Sequence, residues 1–254
     1  MNTLLLRFAA PLQAWGSSSR FNKRRTEREP TKSGVVGLLA AALGRRRNES
    51  LDDLRALRFG VRIDQVGQLL KDFQTAQLAG GKHTFISDRH YLADAVFVVG
   101  LESDDEEFLK QIVLALSNPL FPLSLGRRSC PPAGPMILGI RDLSLDDALE
   151  QEAWQAATWY RRRQPKELWL EVVRDAQTDD QGTFFRRDMP ISFNQEHRQY
   201  GFRNISSKVK AVTVDNPDSR QMANGNGRTL PAESTQHDVF AALKGGGSDV
   251  SVAT

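Results

Sequence analysis

The sequence predicts an α+β fold: a ferredoxin-like (RRM-like) βαββαβ core with a protruding β-hairpin thumb and a smaller β-rich C-terminal part. Three observations predict it. Two capped helical stretches alternate with short apolar runs in the order strand, helix, strand, strand, helix, strand. A glycine pair, Gly80-Gly81, sits between two β-leaning runs, as in a long hairpin. Beyond residue 130 the strand-like segments outnumber the single helical one.

The first strand is Thr3 to Ala9, rich in Leu and Phe and closed by Pro11. After a polar loop, Pro30 to Gly44 predicts a helix. Thr31 or Ser33 can cap its start, apolar residues continue to Leu43, and Gly44 stands where a C′ glycine belongs. Asp52 to Leu57 is a helical turn, and Arg58 to Ile63 alternates as a strand with one wet face. The hairpin occupies about residues 64–90, and Tyr91 to Leu101 reads as one buried strand. Ser103 then caps a helix with acids in its first turn and Phe108, Ile112, Val113 and Leu116 on one face, ended by Asn118-Pro119. Leu123-Ser124-Leu125 is the last strand of the core.

The core with its thumb is thus expected over residues 1–130. A C-terminal β-rich part over 131–212 follows: Met136 to Ile140 (strand), Ser144 to Tyr160 (helix), Glu167 to Arg174 (strand), and a basic-aromatic segment from Phe184 to Arg203. These can either build a second half or complete the first sheet. From about residue 213 onward the chain is rich in Asn, Asp, Gly and Ser and reads as a mostly disordered tail.

Composition excludes several classes. No segment is long and apolar enough to span a membrane, and Met1 to Ala10 lacks a basic leader, so it reads as a strand rather than a secretory signal. One cysteine, Cys130, excludes an internal disulfide framework and fits a reducing cytoplasm. Four histidines show no ligand spacing with it, so neither a zinc site nor any cofactor is expected.

Charge is unevenly laid out. Residues 1–60 hold 12 Lys/Arg against 5 Asp/Glu, or +7; with a whole-chain charge of +3, the remainder carries −4. Polyanion binding is then concentrated in the first quarter. Arg20, Lys23, Arg24, Arg25 and Arg28 form a basic loop around Phe21, and Arg45-Arg46-Arg47 follow the first helix. Each cluster also reads as ordinary solvated surface.

The most specific motif is Leu125-Gly126-Arg127-Arg128-Ser129-Cys130-Pro131. Arginine's planar fork grips two phosphate oxygens at once, Ser129 adds a hydroxyl, and Gly126 permits close approach or positive φ. A solvated basic turn is the alternative. At the first helix, Lys32, Ser33 and the amide of Gly34 offer a second anion site. Gln13 and Trp15 leave the first strand at its end, where they can contact and stack a base; core packing is the other reading of Trp15.

These motifs resemble the CasD family, whose members are subunits of the type I-E CRISPR surveillance complex, Cascade. The resemblance rests on Leu6 to Gly16, Pro30 to Leu39 and Leu125 to Pro131 in that order, with weaker matches at Tyr91 to Ala95 and Asp188-Met189-Pro190, and covers about residues 3–205. It implies a non-catalytic RNA-binding subunit whose thumb caps the 5′ handle of crRNA. Its partners would be the backbone and large subunits of Cascade, with target DNA met only indirectly, since guide pairing reads the target. Arg127, Arg128 and Ser129 would grip the handle. In the hairpin, Lys82, His83 and Arg89 would follow the RNA backbone, and Phe85 or Ile86 would wedge between bases; Gln74 stands where some relatives have histidine. The alternative is a metal-independent endoribonuclease that processes precursor crRNA, as in type I-C relatives, with Lys82, His83, His90 and Tyr91 as candidate groups.

Overall fold

The computed structural model describes residues 1–17, 23–77, 80 and 84–220. Along the chain run β1 (Asn2–Ala9), β2 (Leu12–Gln13), β3 (Lys23–Arg24), α1 (Lys32–Ala42), α2 (Asp52–Ala56) and β4 (Arg58–Gln65). There follow β5 (Gln68–Gln77), β6 (Thr84–Ala93), β7 (Val96–Ser103), α3 (Glu106–Ser117) and β8 (Ile137–Arg141). The remainder is α4 (Leu145–Gln151), α5 (Thr158–Arg161), β9 (Glu167–Asp175), β10 (Phe184–Ser192) and β11 (Gln199–Asp215). The fold is mixed α+β, with an antiparallel seven-stranded sheet in the order β10-β11-β9-β4-β7-β1-β8. The C-terminal strands therefore continue the first sheet.

The centre of that sheet is covered on both faces. Leu4, Leu5 and Leu6, successive residues whose side chains alternate across β1, are all fully buried. On one face α4 packs Leu145, Ala148 and Leu149 against Leu5, Val98, Leu170, Val172 and Val212. The helix sits on a cross-strand glycine pair, Gly60 and Gly100, where a Cβ would stand 2.9 Å and 2.5 Å from Leu149 and Leu145. Helices α1 and α3 pack together on the other face.

Helix α1 starts and stops as its sequence dictates. Thr31 is the N-cap, its side chain accepting from the Gly34 N–H, and Gly44 has φ +75°. The Gly44 and Arg45 N–H groups reach back to the Ala41 and Ala40 carbonyls, the paired bonds of a Schellman stop. Strands β5 and β6 form the long hairpin, paired from Gln68 with Ala93 to Gln77 with Thr84. On its other edge β6 carries β2 and β3.

Several expected elements are corrected. Leu123 to Leu125 forms no strand, because the backbone of Leu125 is used in a turn: its N–H bonds Cys130 O at 2.7 Å and its carbonyl receives the Ala14 N–H at 3.1 Å. The place beside β1 is taken by β8. Tyr91 to Leu101 is divided at Asp94, which has φ 55°, a conformation Asp tolerates better than most residues, and turns the chain from the hairpin into the main sheet. The cap of α3 is Asp105 rather than Ser103, and its buried positions are Leu109, Ile112 and Leu116.

Strand β4 has no wet face. Arg62 is fully buried, bound to Asp64 at 2.7 and 2.9 Å, and donates to the carbonyls of Leu149, Glu152 and Ala153. The guanidinium thereby captures the carbonyl end of α4. That is why Ser144 to Tyr160 is not one helix: the chain leaves helical geometry at Glu152 and resumes only at Thr158. Strand β11 runs to Asp215, past the expected start of the tail, and residues 221–254 of that expectation lie outside the described residues.

Candidate nucleic-acid interface

A cleft of about 1110 Å³ opens between the start of α1, the 124–128 turn and the β10–β11 connection. Eight arginines line it: Arg24, Arg25, Arg45, Arg46, Arg47, Arg127, Arg128 and Arg198. No Asp or Glu is among its described lining residues. Low-dielectric walls of one sign concentrate anions, so the cleft is an electrostatic match for a polyanion. Aromatic faces stand among the cations: Phe121, Phe193 and Tyr200 line the cleft, and the last two rings lie 6.4 Å apart.

The Gly-Arg-Arg-Ser turn is shaped by two constraints. Gly126 has φ +90°, and a Cβ there would lie 1.7 Å from the Ala14 carbonyl oxygen, so no side chain fits. The Cys130 N–H then closes on Arg127 O at 2.8 Å. Arg127 is half-buried. Its Nη2 donates to Arg24 O at 2.7 Å and its guanidinium lies 4.6 Å from the centroid of the Tyr91 ring. Arg128 and Ser129 are exposed. Arg45 is committed to Asp53 through a two-pronged interaction, whereas Arg46 and Arg47 extend at the surface.

The expected helix-start site is corrected. Lys32 is only 3% exposed; its Nζ binds Asp175 at 2.9 Å and its backbone N–H donates to Asp188 at 3.0 Å. Arg203 completes the group, with Nε and Nη2 on Asp188 at 2.6 and 2.9 Å and Nη1 on Asp175 at 2.7 Å. The chain's own carboxylates thus occupy the helix start. Burial lowers the Lys32 ammonium pKa, with Asp175 opposing. Burial pushes the Asp175 carboxyl up, but Lys32 and Arg203 outweigh it and hold it below the ordinary carboxylate range. Ser33 and Gly34 still line the cleft, though the Gly34 N–H serves the Thr31 cap.

Gln13 and Trp15 are corrected as well. Gln13 is fully buried, donating to Ala95 O at 2.8 Å and accepting from Trp15 Nε1 at 3.1 Å. Trp15 is 0% exposed and stacks on Phe8 at 5.6 Å, so core packing is the reading the structure selects. On β6, Arg89 is half-buried and faces Tyr91, while Phe85 and Ile86 are exposed at 58% and 51%. Arg20, Lys82 and His83 lie outside the described residues.

The structure therefore brings together Ser33, Gly34, Gly126, Arg127 and Arg128, with Ser129 and Arg89 beside them. Sequence reasoning missed Phe193, Arg198 and Tyr200. Their signal was the basic-aromatic run from Phe184 to Arg203, but only the β10–β11 pairing places its turn at the cleft. Among the described residues no group of three or more His, Cys, Asp or Glu is arranged to hold a metal, and no helix is long and apolar enough to cross a membrane.

Comparison with known proteins gives a consistent set. The family described as CRISPR-associated protein (Cas_Cas5) matches residues 3–206. The CRISPR system Cascade subunit CasD of Escherichia coli is 34% identical over 160 residues, covering 54% of this chain and 70% of that protein. A Cas protein of known crystal structure aligns with TM-score 0.64 and 36% identity over 85% of this chain and 97% of its own. A chain of a CRISPR RNA-guided surveillance complex aligns with TM-score 0.71 and 29% identity over 95% and 99%.

Proposed function

The chain belongs to the Cas5 family of CRISPR-associated proteins, and from that premise we propose that it caps the 5′ handle of crRNA as a non-catalytic subunit of a Cascade-type surveillance complex. The observation that carries the proposal is the cleft: eight arginines, interleaved aromatics and no carboxylate among its described lining residues. Arginine forks suit phosphate oxygens, and aromatic faces suit unstacked bases of a single strand. We read β4-β7-β1-β8, joined through α1 and α3, as a ferredoxin-like core, with β5–β6 as its thumb; the strand order supports this reading. The likeness to a chain of a surveillance complex supports partnership with other subunits and RNA; in this reading the neighbours are backbone and large subunits, target DNA is reached through the guide, and the setting is cytoplasmic.

Cleavage is less well supported by the geometry. His90 and Tyr91 are successive residues of a strand and point to opposite faces of the hairpin, so they do not converge on one reacting group. The test is binding of the full chain to single-stranded RNA carrying the handle, across a salt series. Arg127→Ala with Arg128→Ala should weaken binding and reduce the log–log salt slope by about 0.7 for each phosphate that is no longer neutralised. An unchanged affinity and slope would show that the handle is held elsewhere, and metal-free cutting of repeat RNA would favour the nuclease.

A further inference from the structure

We propose that Arg89 and Arg127, set against the Tyr91 ring at the base of the hairpin, form a site for a single phosphate group, with Tyr91 as the residue that positions Arg127. This rests on the RNA-binding reading and narrows it to one subsite. Most buried or half-buried arginines here are neutralised by a carboxylate: Arg62 by Asp64, Arg174 by Asp180, Arg186 by Glu29 and Arg203 by Asp188. Among the described residues neither Arg89 nor Arg127 has such a partner. Moreover, Arg89 Nε and Arg127 Nη1 are both buried without a hydrogen-bond partner.

The two side chains meet at one point. Tyr91 is 5% exposed, its ring lies 4.6 Å beneath the Arg127 guanidinium, and its phenol faces Ser129, Arg127 and Arg89. Arg127 cannot swing away freely, because Nη2 is held by Arg24 O at 2.7 Å. What remains is a fixed pair of cations with spare N–H donors, a costly arrangement in the folded chain unless an anion joins it. One phosphate can accept from both donors, and its negative charge offsets part of the local excess of positive charge. Burial opposes ionisation of the phenol, but the Ser129, Arg127 and Arg89 interactions outweigh it and hold its pKa below the ordinary tyrosine value. The arginine–ring stack sets the plane of the fork, and Ser129 supplies a hydroxyl at its rim.

The phosphate belongs either to the RNA backbone or to a free anion, and the experiment separates them. Handle RNA is prepared with each phosphodiester in turn replaced by a neutral methylphosphonate, and its affinity for the full chain is measured. One linkage should cost about tenfold in the unaltered protein, the scale of one charge-assisted hydrogen bond. At that linkage the loss should shrink to about twofold or less in Arg127→Ala and in Arg89→Gln. Tyr91→Phe, which keeps the ring but removes the phenol that faces Arg127 and Arg89, should reduce the penalty at the same linkage only; a structural role alone would weaken every RNA equally. If Tyr91→Phe melts early, Arg89→Gln on its half-exposed strand carries the test. Equal losses at all linkages, or a sensitive linkage unchanged by the substitutions, would overturn the subsite while leaving RNA binding intact. If the unaltered chain does not bind handle RNA, the functional reading fails. Inorganic phosphate titrated against the Arg89 Nε–H resonance then decides: a saturable shift supports the subsite with a free anion as ligand, and none overturns it.

Discussion

Asp188 stands where an external anion would sit at an open helix start. It accepts from the Lys32 N–H while both its oxygens receive Arg203, and it is fully buried. Removing its charge leaves Arg203 and Lys32 to share the single carboxylate of Asp175 in the interior, so Asp188→Asn should cost about 3–5 kcal/mol in urea unfolding. A loss below about 1 kcal/mol would show that Asp175 alone suffices to compensate Arg203. The neighbouring Asp175 adds a pH signature. Its folded pKa is depressed, so its stabilisation is complete above the unfolded carboxylate value near 3.9 and is lost as pH falls through the folded value. The melting temperature should therefore drop steeply below about pH 4, and Asp175→Asn should flatten that acid limb; an equally steep limb in the variant would assign it to other carboxylates. The same group shows why Lys32 was misplaced from sequence. Thr31-Lys32-Ser33-Gly34 has every local mark of an anion-binding start, and the carboxylate that fills it lies 156 residues away. Gly126 was legible for the opposite reason, since its demand for positive φ is local even though the carbonyl it avoids, that of Ala14, is not.

Elements whose boundaries are set by nearby residues were readable: α1 from Thr31 to Gly44, and the β5–β6 hairpin from its glycine pair. Elements ended by distant groups were not. The 145–161 region has helical periodicity throughout, yet Arg62 takes the Leu149, Glu152 and Ala153 carbonyls and Asp64 takes the Gln155 N–H at 2.6 Å. A buried arginine in a central strand decides where a helix stops, and no local pattern reports that. Because the pair is completely enclosed, its members depend on each other. Arg62→Met should cost about 3–5 kcal/mol by stranding Asp64, and the Arg62→Met/Asp64→Leu double variant should cost clearly less than the two single losses added together. Additive losses in a denaturant double-mutant cycle would show that the carbonyl hydrogen bonds, rather than the ion pair, hold α4 in place.

Across the whole molecule, fold and charge are arranged along the same line. The first quarter of the chain carries +7 against −4 for the rest, and the fold gathers its clusters from Arg24 to Arg128 around one cleft, adding Arg198 from the β10–β11 connection. Net charge alone would attract RNA everywhere on the surface, and weakly. Concentration in a walled groove makes attraction local, because at physiological ionic strength charges beyond about 8 Å are largely screened. Two charge reversals of equal size should then differ sharply. Arg46→Glu with Arg47→Glu places two acids on the cleft rim and should weaken handle RNA by at least about tenfold, with a shallower salt dependence. Arg162→Glu with Lys166→Glu alters exposed positions between α5 and β9 that do not line the cleft, and should change affinity by about twofold or less at about 150 mM salt. Filter binding of both variants against the unaltered chain reads the difference. If the two pairs weaken RNA equally, attraction is set by overall charge, and the cleft loses its claim to be the place where the strand is held.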